Sequence, residues 1–160
     1  MKRRCSAFLL ALVSLFLVLN LAGCGGGDQF STTIITTTSG SSEAAIPEDG
    51  TYTSKEDVAL YLHTYGHLPD NFITKKEAQA LGWEGGSLEP YAPGMCIGGS
   101  SFGNFEGLLP EADGRSYQEC DIDTLGADSR GAKRLVYSND GLIYYTDDHY
   151  ESFTLLYGEE

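Results

Sequence analysis

The sequence predicts an α+β domain. Two capping-box patterns mark helix starts at Ser54 and Thr74, and after Pro93-Gly94 the chain changes to short β-branched or aromatic runs separated by turn residues. Helices first and an antiparallel sheet afterwards describe segregated α and β layers. No internal repeat interrupts that order.

In Ser54-Lys55-Glu56-Asp57 the serine hydroxyl can accept an N–H that the first helical turn leaves unpaired. Val58, Tyr61, Leu62 and Tyr65 follow at helical spacing until Gly66 closes the helix. Thr74-Lys75-Lys76-Glu77 repeats the signal for a shorter helix that stops at Gly82 after Leu81. A brief third helical turn is expected over 87–92. Strands are predicted over 95–102, 115–122, 134–138, 142–146 and 152–157, with Asn139-Asp140-Gly141 as a tight turn between two of them. The expected architecture is two to three N-terminal helices packed on a five-stranded antiparallel sheet.

Upstream of this domain the chain reads as an address. Lys2, Arg3 and Arg4 precede an apolar run from Ala7 to Leu19, and Leu21-Ala22-Gly23-Cys24 places small residues before a cysteine. That order resembles a bacterial lipoprotein signal peptide over 1–23, cleaved before Cys24, which then carries the lipid; an ordinary secretory signal is the alternative. A diacylglycerol on Cys24 supplies two acyl chains, enough for stable anchoring. Residues 24–50 are rich in Gly, Ser and Thr and read as a disordered tether, whose roughly 26 residues reach about 25–30 Å. The domain is placed at 51–160, and the protein is expected at the outer face of the cell membrane as a lipoprotein, or secreted. No other segment is long and apolar enough to span a membrane.

The formal charge of the 160-residue chain is −13. Loss of Lys2, Arg3 and Arg4 with the signal leaves seven basic residues against 23 acidic ones, close to −16. Taken alone, this argues against nucleic-acid binding, which usually leaves a basic footprint. Of the four cysteines, Cys5 leaves with the signal and Cys24 takes the lipid. Cys96 and Cys120 both fall in predicted strands, so a cross-strand disulfide is expected in an oxidising compartment, with two buried, unbonded residues as the alternative.

Tyr61-Leu62-His63-Thr64-Tyr65, Leu68-Pro69-Asp70-Asn71-Phe72-Ile73-Thr74-Lys75 and Glu77-Ala78-Gln79-Ala80-Leu81-Gly82-Trp83 form the helical half of a longer pattern. It continues through Ala92-Pro93-Gly94, Ile97-Gly98-Gly99, Glu106-Gly107, Leu109-Pro110, Leu142-Ile143-Tyr144 and Asp148-His149-Tyr150. In order and spacing these residues resemble the barnase family of extracellular, guanine-preferring microbial ribonucleases, from Val58 to Thr154.

The resemblance implies metal-independent cleavage of single-stranded RNA, first to a 2′,3′-cyclic phosphate and then to a 3′-phosphate, with no cofactor and no metal. By position it implies Glu119 as general base and His149 as general acid. Lys75, Arg130 and Arg134 become the phosphate-binding cations. Phe102, Asn104, Phe105, Glu106 and Tyr150 surround the base. RNA is the implied substrate, a monomer is expected, and an inhibitor of the barstar type is the implied protein partner.

Taken singly, these residues are ordinary: a strand glutamate usually faces solvent, and a lone histidine after two aspartates is usually exposed. Their joint spacing is what distinguishes them. His63 and His67 read as surface residues, not metal ligands. The chain also departs from the family. Phe105 stands where the family carries an arginine, and Gly103 and Ser100 replace a serine and an aspartate. Phe105 instead offers a stacking surface for a base, while its missing charge weakens the fit to an inhibitor that relies on a cationic rim. Two other readings share the same residues: an antibacterial toxin with an identical site, and a non-catalytic surface module that binds nucleotides or a protein.

Overall fold

A computed structural model describes residues 46–160. The expected signal peptide, Cys24 and the tether as far as residue 45 lie outside the described residues. In chain order the elements are α1 (Lys55–Tyr65), β1 (Phe72–Ile73), α2 (Lys75–Ala80), β2 (Cys96–Phe102), β3 (Tyr117–Asp121), β4 (Arg134–Ser138), β5 (Ile143–Thr146) and β6 (Thr154–Tyr157). The strands form one sheet in the order β1-β2-β3-β4-β5-β6, parallel at β1–β2 and antiparallel elsewhere.

Both helix starts follow the sequence signals. Asp57 N–H donates to Ser54 Oγ at 3.1 Å, and α1 ends on Gly66 in the left-handed conformation (φ +75°). At α2 the box is reciprocal: Glu77 N–H donates to Thr74 Oγ1 at 3.2 Å and Thr74 N–H to Glu77 Oε2 at 2.8 Å. The expected third helix over 87–92 is only a turn, in which the Tyr91 and Ala92 N–H groups both reach Leu88 O. Pro90 and Pro93 disfavour helical backbone at Glu89 and Ala92, the residues before them.

The expected five strands become six. β1 is two residues long, too short to show a period, and is held beside β2 by Cys96 N–H donating to Asn71 O at 2.8 Å. Alternation along the strands sorts side chains onto two faces. Cys120, Leu135, Tyr137 and Ile143 pack against Val58, Ala59 and Leu62 of α1. Tyr117, Val136 and Tyr144 face the other way and join Leu109, Leu142, Phe102, Tyr150 and Phe153. Gly98 is required where β2 runs close to the first core, since a Cβ there would lie 2.7 Å from Phe72 and 2.8 Å from both Leu68 and Cys120.

The expected disulfide is not formed. Cys96 and Cys120 are free and buried. Cys120 sits opposite Gly98, not Cys96, and such a diagonal offset places Cα atoms about 7–8 Å apart, beyond ordinary disulfide reach. Packing also begins upstream of residue 51. Ile46 is buried, and the carbonyls of Ile46, Pro47 and Glu48 accept the hydroxyls of Tyr65, Tyr52 and Tyr61 at 2.6, 2.8 and 3.0 Å. Asn71 fixes the end of this strap through two bonds to the Tyr52 backbone.

Candidate active site

Glu119 stands mid-way along β3, opposite Ser100 of β2 and Val136 of β4. Its neighbour Cys120 points toward α1, so Glu119 and Asp121 share the opposite face with Val136 and Arg134. With central strands on both sides, Glu119 is only 5% exposed. A carboxylate so far from water needs partners, and it has two: Lys75 Nζ pairs with Oε1 and the Tyr150 hydroxyl donates to Oε2. Lys75 is the first residue of α2, so the Thr74 cap that starts the helix also places the lysine. Burial, then the bond to Glu119, raises the Tyr150 phenol well above its ordinary range. Tyr150 therefore stays a donor.

Asp121, 1% exposed, lies in register with Arg134 and binds two guanidinium groups. Arg130 contacts it with two nitrogens, at 2.7 and 2.8 Å, while resting 5.7 Å from the Trp83 ring centre; Arg134 Nε is 2.9 Å from Asp121 Oδ1. The two arginines expected to bind phosphate differ in exposure. Arg134 is buried, and its terminal nitrogens donate to the main-chain carbonyls of Arg130, Gly131 and Lys133. It acts as a fixed charge behind the site, whereas the Arg130 side chain retains 24% exposure. Lys75, Arg130 and Arg134 against Glu119 and Asp121 leave one net positive charge here, inside a chain of formal charge −13.

His149 is exposed on the β5–β6 loop, its ring centre 4.9 Å from that of Tyr150. Tyr150 thus touches both groups, its hydroxyl on the Glu119 carboxylate and its ring beside the imidazole. Phe102, at the end of β2, packs on Tyr150 with ring centres 5.3 Å apart. Beyond it the residues expected to surround a base divide. Asn104 is committed to closing its own loop: its amide nitrogen donates to Leu109 O at 2.9 Å and its oxygen accepts Leu109 N–H at 3.0 Å. Both of its side-chain groups are thereby used within the loop. Glu106 is exposed, and Phe105 is 94% exposed with its ring folded over Gly103.

Cavities of about 560 and 350 Å³ lie elsewhere, one between α1 and the sheet around His63, Gln118 and Tyr137, the other beside Gly103 and Arg115; neither is lined by Glu119 or His149. Among the described residues no cluster of three His, Cys, Asp or Glu side chains is arranged to hold a metal. Sequence reasoning missed Asp121 and Asp148. A buried aspartate in a strand signals the first, because an unpaired one would be prohibitive. The second accepts four hydrogen bonds within the β5–β6 loop.

Fold and side chains together define a class of small α+β proteins that carry a buried carboxylate and clustered cations on one face of a mostly antiparallel sheet. The chain belongs to the Ribonuclease family, whose model matches residues 55–157. It is 54% identical over 101 residues to a ribonuclease of Bacillus intermedius, covering 62% of each chain. It is 53% identical over 100 residues to a ribonuclease of Heyndrickxia coagulans, covering 61% of this chain and 91% of that one. A segment of 57 residues is 46% identical to guanyl-specific ribonuclease St of Saccharopolyspora erythraea, covering 36% of this chain and 56% of the other.

Proposed function

We propose that this protein is an endoribonuclease that cleaves single-stranded RNA after guanine without a metal ion. The observation that carries this reading is Glu119, clamped between Lys75 and Tyr150, with the Tyr150 ring adjoining the exposed imidazole of His149. In RNA the 2′-OH is an internal nucleophile, so alignment alone makes attack on phosphorus intramolecular. Glu119 takes the 2′ proton while His149 protonates the departing 5′ oxygen, and the two exchange roles when water opens the cyclic phosphate. Each transfer contributes about 10²–10⁴-fold. Charge gathers on the phosphorane oxygens, where Lys75, Arg130 and the fixed charge of Arg134 oppose it. DNA lacks the attacking hydroxyl.

Guanine preference rests on the exposed Glu106 carboxylate, an acceptor for the N–H groups of the guanine edge, on the loop that Asn104 closes, and on Phe105 as a stacking surface. The acidic body steers polyanionic RNA weakly, so short oligonucleotides are favoured over long RNA and salt suppresses activity little. Export and a lipid on Cys24 belong to the same reading. Among the described residues no helix is long and apolar enough to cross a membrane. Replacing Cys24 with alanine should release the protein from the membrane fraction.

The test is incubation of the protein with RNA and matched DNA in the presence of a chelator, beside Glu119→Ala and His149→Ala. RNA cleavage through a cyclic phosphate, lost in both variants, is the expected result. Cleavage that requires magnesium or survives both substitutions refutes the mechanism.

A further inference from the structure

The β5–β6 loop carries two consecutive non-glycine residues in the left-handed region, His149 at φ +62° and Tyr150 at φ +77°. Each such residue stores strain and persists only where its surroundings over-determine the backbone. Here one carboxylate organises those surroundings. Asp148 Oδ1 accepts the N–H groups of Glu151 and Ser152, both at 3.0 Å, and the Thr146 hydroxyl at 2.8 Å; Oδ2 accepts the Ser152 hydroxyl at 2.5 Å. Thr146, buried at the end of β5, in turn accepts Tyr150 N–H at 3.0 Å. The main chain is thus gripped on both sides of His149. Among the described residues the imidazole itself has no hydrogen-bond partner, so only the backbone and the Tyr150 ring set its direction.

We propose that Asp148 is the positioning residue for His149, holding the strained turn that aims the imidazole at the departing oxygen. This rests on the reading of His149 as general acid. In that step the 2′-oxygen bonds to phosphorus as its proton passes to Glu119, and the bond to the 5′ oxygen breaks as His149 delivers a proton to it. A 5′-alkoxide needs that proton, whereas a 4-nitrophenolate leaves without one. A defect confined to the acid therefore appears with a nucleotide leaving group and disappears with nitrophenolate.

The experiment compares the full chain with Asp148→Ala, Asp148→Asn, Ser152→Ala and His149→Ala on a guanosine dinucleotide and on guanosine 3′-(4-nitrophenyl phosphate). Asp148→Ala should lower kcat on the dinucleotide roughly 10–100-fold, part of what a general acid supplies. KM should stay within about two-fold and the nitrophenyl ester should react within about three-fold of the parent. Asp148→Asn should recover most of the loss, because the amide oxygen still accepts the Oδ1 bonds, and Ser152→Ala should show a weaker form of the same selectivity. Equal losses on both substrates for both Asp148→Ala and Ser152→Ala, or no loss on the dinucleotide, overturn the positioning role. If His149→Ala cleaves the dinucleotide normally, the general-acid reading itself fails and the proposal with it.

Discussion

The phenol hydroxyl of Tyr150 donates to Oε2 of Glu119, on the side of the carboxylate that Lys75 leaves open. A hydrogen bond to a charged group is worth about 1.5–3 kcal/mol, part of which water restores when the donor is removed. Tyr150→Phe should therefore lower kcat/KM by about ten-fold while leaving the circular dichroism unchanged. Full activity in this variant would show that Lys75 alone suffices to hold the Glu119 carboxylate.

Asp121 is the shared anion of two guanidinium groups in a corner with almost no water. Asp121→Ala strands both cations, and breaking a buried pair in this way costs about 3–5 kcal/mol. The urea midpoint should fall accordingly. A loss below about 1 kcal/mol, the range of exposed pairs, would show that the main-chain carbonyls alone satisfy Arg134.

Phe105 and Gly103 act as a unit, since a Cβ on Gly103 would lie 2.3 Å from the Phe105 ring. Stacking on an aromatic contributes about 1–3 kcal/mol per base, so Phe105→Ala should raise KM for a guanosine dinucleotide about ten-fold with little change in kcat. Gly103→Ala should displace the ring and raise KM as well. In the Phe105→Ala background Gly103→Ala should have no further effect, and additive losses would separate the two residues.

Elements with local causes were legible in the chain. The Ser54 and Thr74 caps fix helix starts within a few residues, and the 134–138 run is bounded by its own turn residues. Features that depend on partners distant in sequence were not. β1 exists because β2 lies beside it, and Ile46 is ordered because Tyr65 lies nineteen residues downstream. The site divides in the same way. The resemblance named Lys75, Glu119, Arg130, Arg134, His149 and Tyr150 as candidates, but not that Arg134 faces its own loop carbonyls or that Asn104 binds Leu109.

Hydrogen bonds, the Ser152 hydroxyl foremost, hold the Asp148 carboxyl at about 2 against an ordinary 3.8. A folded pKa below the unfolded one gives stabilisation that is complete above the unfolded value and lost as pH falls through the folded one. The urea-midpoint difference between parent and Asp148→Asn should stay level from about pH 7 to 5 and narrow from about pH 4 to 2. A difference that is flat throughout would show that the carboxyl titrates normally.

Burial raises both thiols, that of Cys120 most strongly, and a buried thiol yields little of the reactive thiolate. Thiol reagents at neutral pH should modify neither Cys96 nor Cys120 until urea unfolds the domain, after which both should react. Recovery of a peptide that links the two cysteines would instead establish the bridge.

The strap from Ile46 to Tyr52 determines where mechanical load enters the fold. Tension on the chain upstream of Ile46 passes through the Tyr61 and Tyr65 hydroxyls into α1, which lies against the sheet face opposite Glu119. Such a pull peels contacts from the strap one hydroxyl at a time before it can shear β3 from β4. The strap is thus a strain relief, which takes up a pull at this end and leaves the face that carries Glu119 at rest.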